Sequence, residues 1–254
     1  MKKKKLPKKD PQSYRERSYR CIQQSGLIPS NIKVMETDLH ILAPVDVENE
    51  ALVLVLKIRT ILEEYINKNP LFLTSLEPLP VDKAAAPPLI AMMEAAQTAG
   101  VGPMASVAGT VAEYVGKGLL ARGLEEVIVE NGGDIFLIRK RASTVAIYAG
   151  ESPLSGKVGV RIGVESMPLG VCCSSGSVGH SLSLGRSDAV VALAASTPLA
   201  DAVATAVGNQ VVDGGQAGVN KALRFGQQIK GVSGLVIISG KHLGAWGDIE
   251  LESL

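Results

Sequence analysis

Aromatic side chains are scarce in this chain of 254 residues: three Phe, five Tyr and one Trp make up 4% of it. Its core cannot rest on large rings, so Ala, Val, Leu and Gly must fill it, which requires helices and sheet to pack closely. Three cysteines, an odd number, exclude a disulfide framework and fit a reducing compartment. No apolar run reaches the roughly 18 residues of a membrane span, and the polar stretch "KKDPQSYRERSYR" after Leu6-Pro7 is no secretory core. The expected location is the cytoplasm, with no membrane partner. Charge of one sign is also missing: the net charge is +1, but six lysines fall in the first nine residues and leave the remainder at −5. The lysine run reads as a disordered basic tail over residues 1–12, from which no nucleic-acid partner is inferred. Residues 13–254 are then expected to form a single domain.

What is present alternates between strand and helix patterns. "YRERSYR" and "VMETDLHILAP" show polar–apolar alternation that fits strands at a sheet edge. From Asp46 to about Lys68 apolar residues recur at helical spacing, with Asp46 placed to cap the start. A connector with five prolines, "NPLFLTSLEPLPVDKAAAPP", follows, still carrying Leu and Phe to bury. "LIAMMEAAQTAG" predicts a second helix ending at Gly100, and "MASVAGTVAEYVGKGLLARG" a third ending at Gly123. Ala105, Ala108, Gly109 and Ala112 give this third helix a face of small residues, which lets a backbone or ligand come close. Strands are expected at "EEVIVE", in two pieces of "DIFLIRKRASTVAIYAGE", at "KVGVRIGVE" and at "DAVVALAAS". "STPLADAVATAVGNQV" predicts another helix, with Thr197 as N-cap, Pro198 in the first turn and Asn209 at the exit. "GLVIISGKHLGAWGDIEL" reads as a closing hairpin. The fold class is α+β, with an antiparallel or mixed sheet and packed helices.

Three stretches can carry chemistry. Asp201 and Thr205 lie four apart on the predicted helix and project their oxygens from one face, a set suited to Mg²⁺, which takes its other ligands from water, carbonyls and phosphates. The alternative is a solvated Asp near a helix start with a packed Thr behind it. In "ENGGDIFL", Gly132 and Gly133 leave the backbone bare in or beside a strand, where a ligand could approach; a bulged turn with Asp134 bonding its own backbone explains the motif equally well. "GVCCSSGSVGHSLSLGRSD" reads as a flexible hydroxyl-rich loop, whose Ser174, Ser175 and Gly176 offer a nest for phosphate. Cys172 and Cys173 read either as buried small hydrophobes at a strand end or as a redox or persulfide site. A hydrolase built on a Ser with His180 lacks the G-x-S-x-G elbow.

In this order the stretches resemble the ApbE-like superfamily, whose best-known members are Mg²⁺-dependent flavin transferases that move FMN from FAD onto a Thr or Ser of a target protein. "AGTVAEYVGKGLLARGLEEVIVENGGDIFL" resembles the superfamily's helix, strand and GGD block, "CCSSG" its V-S-T-S-G stretch, and "LADAVATAVGN" its metal-binding A-D-A-x-A-T-A helix. Over most of its length, including "ETDLHI", "NPLFLTSLEPLP" and "AGVGPMASVAG", the chain is similar to a small branch of ApbE-like proteins from anaerobic microbes. The resemblance implies a T-fold-like architecture, a curved antiparallel or mixed sheet with packed helices. It implies Mg²⁺ on Asp201, Thr205 and the Ala105 carbonyl, and FAD or FMN against Gly132, Gly133, Asp134 and Ser174–Gly176. His180 matches the family's histidine and, if a flavin phosphate is transferred, is the catalytic proton acceptor by type. The transferases' lysine is replaced here by Ala108, and the Asp-Pro that follows their histidine has no counterpart after His180. A small-molecule nucleotide is the expected ligand, with a protein target and a homodimer as further partners. Two other readings stay open: an accessory or sulfur-handling protein of anaerobic metabolism using Cys172 and Cys173, and a binding module without catalysis.

Overall fold

The computed structural model describes residues 26–176 and 185–254. The expected basic tail, the "YRERSYR" strand and His180 lie outside the described residues. The described residues open with a hairpin, β1 (Ile28–Val34) and β2 (Thr37–Ala43), and pass into the 21-residue helix α1 (Glu48–Lys68). Ala51, Leu54, Val55, Ile58 and Leu62 recur three or four apart and are buried, which is why this segment is a helix and which face it turns inward. Val47 occupies the boundary position and makes no side-chain cap bond. Asp46 stands one residue earlier, where it accepts from the Glu48 N–H at 3.1 Å and the Ser30 hydroxyl at 2.8 Å; the Ser30 bond holds its carboxyl below the ordinary range.

The proline-rich connector holds the short helix α2 (Leu71–Thr74), which buries Phe72 completely. Helix α3 (Pro87–Ala99) starts on two prolines and stops at Gly100, whose φ of 72° is the left-handed conformation a C-cap needs. The third predicted helix is a 3-10 turn, Pro103–Ser106, running into α4 (Val107–Leu120). Next come β3 (Val127–Asn131), β4 (Asp134–Ile138), β5 (Ser143–Ala146), β6 (Val158–Ile162), β7 (Leu169–Ser174) and β8 (Ala189–Ala194). Helix α5 (Thr197–Gln210) is capped by Ser196, whose hydroxyl accepts from the Leu199 N–H, and not by Thr197. Helix α6 (Gln216–Gly226) and strands β9 (Val232–Ser239), β10 (His242–Gly247) and β11 (Glu250–Ser253) complete the chain.

The strands form an eight-stranded sheet in the order β1-β2-β3-β4-β7-β8-β9-β10 and a three-stranded sheet, β11-β6-β5. Every pairing is antiparallel. Helices cover one face of the large sheet, where Ile58, Met92 and Leu119 meet Ile41, Val129 and Phe136, and Val207 and Leu223 meet Ala192 and Leu235. The small sheet covers the other face, burying Val160 and Ile162 against Leu137, Val171, Val191 and Val236. This layering corrects the reading of "GVCCSSG" as loop: Leu169–Ser174 is a central strand, with Val171 and Cys173 turned to the small sheet and Cys172 to α5. Among the described residues no helix is long and apolar enough to cross a membrane.

Candidate functional site

"ENGGDIFL" is a two-residue hairpin turn. Asn131 and Asp134 pair across it, and Gly132 and Gly133 have φ of 70° and 108°. Two consecutive positive φ values make the type of turn whose twist matches antiparallel strands, and glycine takes them without steric cost. The turn sets the register of a row across the sheet: Leu39, Asn131, Asp134, Cys172, Ala192 and Leu235 stand opposite one another in successive strands. Leu39 and Leu235, at the two ends, belong to the helix-side core. Asp134 therefore sits in an otherwise largely apolar row beneath the helices, 7% exposed.

Helix α5 brings Asp201 to the same place. Its Oδ2 accepts the Gly109 N–H at 2.9 Å, close to the start of α4, where helical N–H groups have no intrahelical partner. The interaction is returned 84 residues apart in sequence, since Glu113 on α4 accepts the Thr197 N–H at 2.6 Å at the start of α5. The two helices cap one another. Gly109 permits this contact, because a Cβ there would meet the Thr197 carbonyl oxygen at 2.7 Å and the Asp201 Cβ at 2.9 Å. The Asn131 amide fastens the turn to the same helix end by donating to the Ala108 carbonyl at 3.1 Å.

The electrostatics of this junction are unusual for two carboxylates. Burial pushes the Asp201 carboxyl up to about 7, against the N–H groups of Gly109 and Ala108 that pull it down. Asp134 is raised well above the carboxylate range, first by burial and then by the Asp201 and Glu130 charges, with the Cys172 thiol and the Cys173 N–H acting the other way. Its Oδ1 is buried with no hydrogen-bond partner. Burial of an uncompensated carboxylate costs several kcal/mol, so such a pair either binds protons or meets a cation. Among the described residues no three His, Cys, Asp or Glu side chains gather as a metal cluster. A hard cation here would draw on carbonyl, hydroxyl, water and phosphate oxygens besides the carboxylates, as Mg²⁺ does. The residues present fit such an ion.

The remaining predicted residues take the following places. Thr205 is half-buried one turn beyond Asp201 on α5, and the 3-10 turn that contains half-buried Ala105 packs on the same helix. Ser174 ends β7 beside the next turn of α5, its Oγ 3.7 Å from where a Cβ on Gly208 would stand. Ser175 and Gly176 follow, half-buried, and the Gly176 N–H donates to the Ser187 carbonyl at 2.9 Å. Cys172 is buried and donates from sulfur to the Thr197 carbonyl at 3.5 Å. Burial pushes the Cys172 thiol up and the Cys173 thiol to about 12, the reverse of what a reactive thiolate needs. Sequence reading missed Asn131 and Glu113; the only local signal for either was a polar residue next to an apolar run. Two hollows, one of about 450 Å³ beside Tyr65, Phe72, Leu79 and Met93 and one of about 670 Å³ around Arg161, Glu165 and Asp248, contain none of the residues of this junction.

The family model described as AbpE bacteria matches residues 20–238. A UPF0280 protein of Methanococcus aeolicus is 38% identical over 226 residues, covering 88% of this chain and 91% of its own length. A UPF0280 protein of Methanothermobacter thermautotrophicus is 42% identical over 194 residues, covering 74% and 73%. Among solved structures, an ApbE protein of Thermotoga maritima superposes with a TM-score of 0.53 at 12% identity, over 86% of this chain and 96% of that one. The apo flavinyl transferase ApbE of Pseudomonas stutzeri superposes with a TM-score of 0.50 at 15% identity, over 87% and 94%. At these identities the superpositions show a common fold.

Proposed function

The chain belongs to the family described as AbpE bacteria, together with the UPF0280 proteins of methanogens, and from that premise we propose that it is a cytoplasmic protein that binds a flavin nucleotide, FAD or FMN, or another phosphate-bearing nucleotide, with Mg²⁺. The observation that carries this reading is the buried Asp134–Asp201 pair, placed where α4 begins and Asp134 has an oxygen without a partner. Asp201, Thr205 and the Ala105 carbonyl would hold the cation. The bare turn at Gly132–Gly133 and the end of β7 at Ser174–Gly176 would lie along the nucleotide. When bound, the cation would neutralise phosphate charge and fix the phosphates in place. The shared fold with a protein named a flavinyl transferase supports a flavin as the nucleotide.

Binding is proposed here without transfer. The lysine of the transferases is Ala108 in this chain, and Ala108 contributes only its backbone, the N–H toward Asp201 and the carbonyl toward Asn131. No described side chain supplies the missing positive charge beside Asp134 and Asp201, which removes the electrostatic stabilisation such transfers rely on. The raised thiols of Cys172 and Cys173 speak for packing and give the sulfur-handling reading no support. Native mass spectrometry of gently purified protein tests the proposal: a mass increment matching a nucleotide plus a divalent cation is expected, and a chain that carries none and gains none when FAD, ADP and Mg²⁺ are added refutes it.

A further inference from the structure

Resting on that reading, we propose that Asp134 is itself a ligand of the cation, so that the ion is held between two carboxylates, one from the sheet and one from helix α5. Asp134 is 7% exposed and its Oδ1 is out of contact with solvent and without a hydrogen bond. Three of the N–H donors nearby have other acceptors. The Asn131 amide donates to the Ala108 carbonyl, the Gly133 N–H to Glu130 Oε1 at 2.8 Å, and the Gly109 N–H to Asp201 Oδ2. The Cys172 thiol, directly opposite Asp134 in the sheet, donates to the Thr197 carbonyl. The Cys172 thiol and the Cys173 N–H also reach this carboxylate, yet Oδ1 is left without a donor, and the charge acting most strongly on it is that of another carboxylate, Asp201 on α5. A cation meets both at once.

Charge and ligand count agree with this arrangement. Two carboxylates balance one divalent ion, whereas Asp201 alone leaves a buried excess of positive charge before any phosphate arrives. An octahedral Mg²⁺ has six positions. Asp134, Asp201, Thr205 and the Ala105 carbonyl would supply four oxygens, leaving two for phosphate or water. The site would then hold its cation before the nucleotide binds.

The test uses the full chain and Mn²⁺ as the probe, first without nucleotide. Calorimetric titration is expected to show one Mn²⁺ per wild-type chain and at least a tenfold loss of affinity in Asp134→Asn. The thermal melt separates a ligand from a structural carboxylate. If Asp134 is a ligand, Asp134→Asn removes an uncompensated charge, so the metal-free protein melts no lower than wild type while the increment on adding Mn²⁺ shrinks. Asp134→Asn with wild-type Mn²⁺ affinity overturns the proposal and leaves the nucleotide site standing. A wild-type chain that binds no Mn²⁺, with or without FAD, overturns both. A wild-type crystal soaked in Mn²⁺ gives a readout that needs no variant to fold: an anomalous peak about 2.1 Å from Asp134 Oδ1 is expected, and a peak on Asp201 with Asp134 beyond bonding distance refutes the assignment.

Discussion

Replacing Gly109 by alanine tests the junction between α4 and α5 with a single methyl group. The added Cβ would stand 2.7 Å from the Thr197 carbonyl oxygen and 2.9 Å from the Asp201 Cβ, so α5 must retreat until the first of these reaches the 3.4 Å of ordinary contact. The nearest obstacle is backbone, which cannot swing aside as a side chain can. Overpacking of this kind costs about 1–3 kcal/mol, and the helix propensity gained from Gly to Ala returns at most about 1 kcal/mol. With the full return the net loss is up to about 2 kcal/mol, which lowers the melting temperature of a chain this size by up to roughly 8 °C. The same retreat draws Asp201 away from the Gly109 N–H it accepts at 2.9 Å, so the increment in melting temperature on adding Mg²⁺ should fall as well. Gly118→Ala is the matched comparison on the same helix: its Cβ would meet the Leu54 methyl groups at 2.6 Å and 2.8 Å, and that side chain can change rotamer. It should keep the wild-type Mg²⁺ increment. Differential scanning calorimetry of both variants decides the matter. A Gly109→Ala protein that melts at or above wild type, with its Mg²⁺ increment intact, refutes the reasoning.

Three further expectations come from the same geometry. Peptide-resolved thiol labelling at pH 8 should leave Cys172 and Cys173 unmodified in native protein and modify both in denaturant, because burial raises both thiols, Cys173 to about 12; labelling of either in the native state would restore the redox reading. Gly132→Asn should be within about 0.5 kcal/mol of wild type, since Asn-Gly suits this turn, whereas Gly133→Val should cost at least about 1 kcal/mol at its φ of 108°; equal melting temperatures for the two variants would contradict the turn assignment. Asp201 is raised from 3.8 to about 7, so in metal-free protein its contribution to stability is fully present below about pH 3.8 and is lost as pH rises toward 7. The melting-temperature difference between Asp201→Asn and wild type should therefore move in favour of the variant as pH rises, and saturating Mg²⁺ should reduce that trend; a difference that does not vary with pH would contradict the burial argument.

The elements legible in the sequence are those whose signal is local. Helix α5 carries Ser196, Thr197 and Pro198 at its start and small apolar residues throughout, and α1 repeats its apolar residues over 21 positions. At α5 the cap was displaced by one position because Thr197 is as well suited by type as Ser196; at α1 Asp46 supplies a side-chain acceptor to the Glu48 N–H although Val47 stands at the boundary. The extent of strand β7 was hidden since the cysteines and serines of "GVCCSSG" read as loop composition with at most a strand end at Cys172 and Cys173; the strand is made by pairing with β4 and β8 on either side, which no local pattern encodes. Helix α6 begins at Gln216, after Gly215 and with no side-chain cap, so its start carried no mark. The family motifs brought forward Asp201, Gly132, Gly133 and Asp134. They could not reveal that Asp201 accepts a helix N–H across 92 residues of sequence, or that Glu113 answers it.

The central claim is a nucleotide site that depends on a cation held at Asp201. Its most direct measurement is calorimetric titration of FAD into the metal-free chain, with and without Mg²⁺, for wild type and Asp201→Asn. Saturable binding in wild type that strengthens at least about tenfold with Mg²⁺, a gain of about 1.4 kcal/mol, and an Asp201→Asn protein that is folded but indifferent to Mg²⁺, are the predicted results. FAD binding of equal strength in all four titrations, or in none of them, would contradict the account.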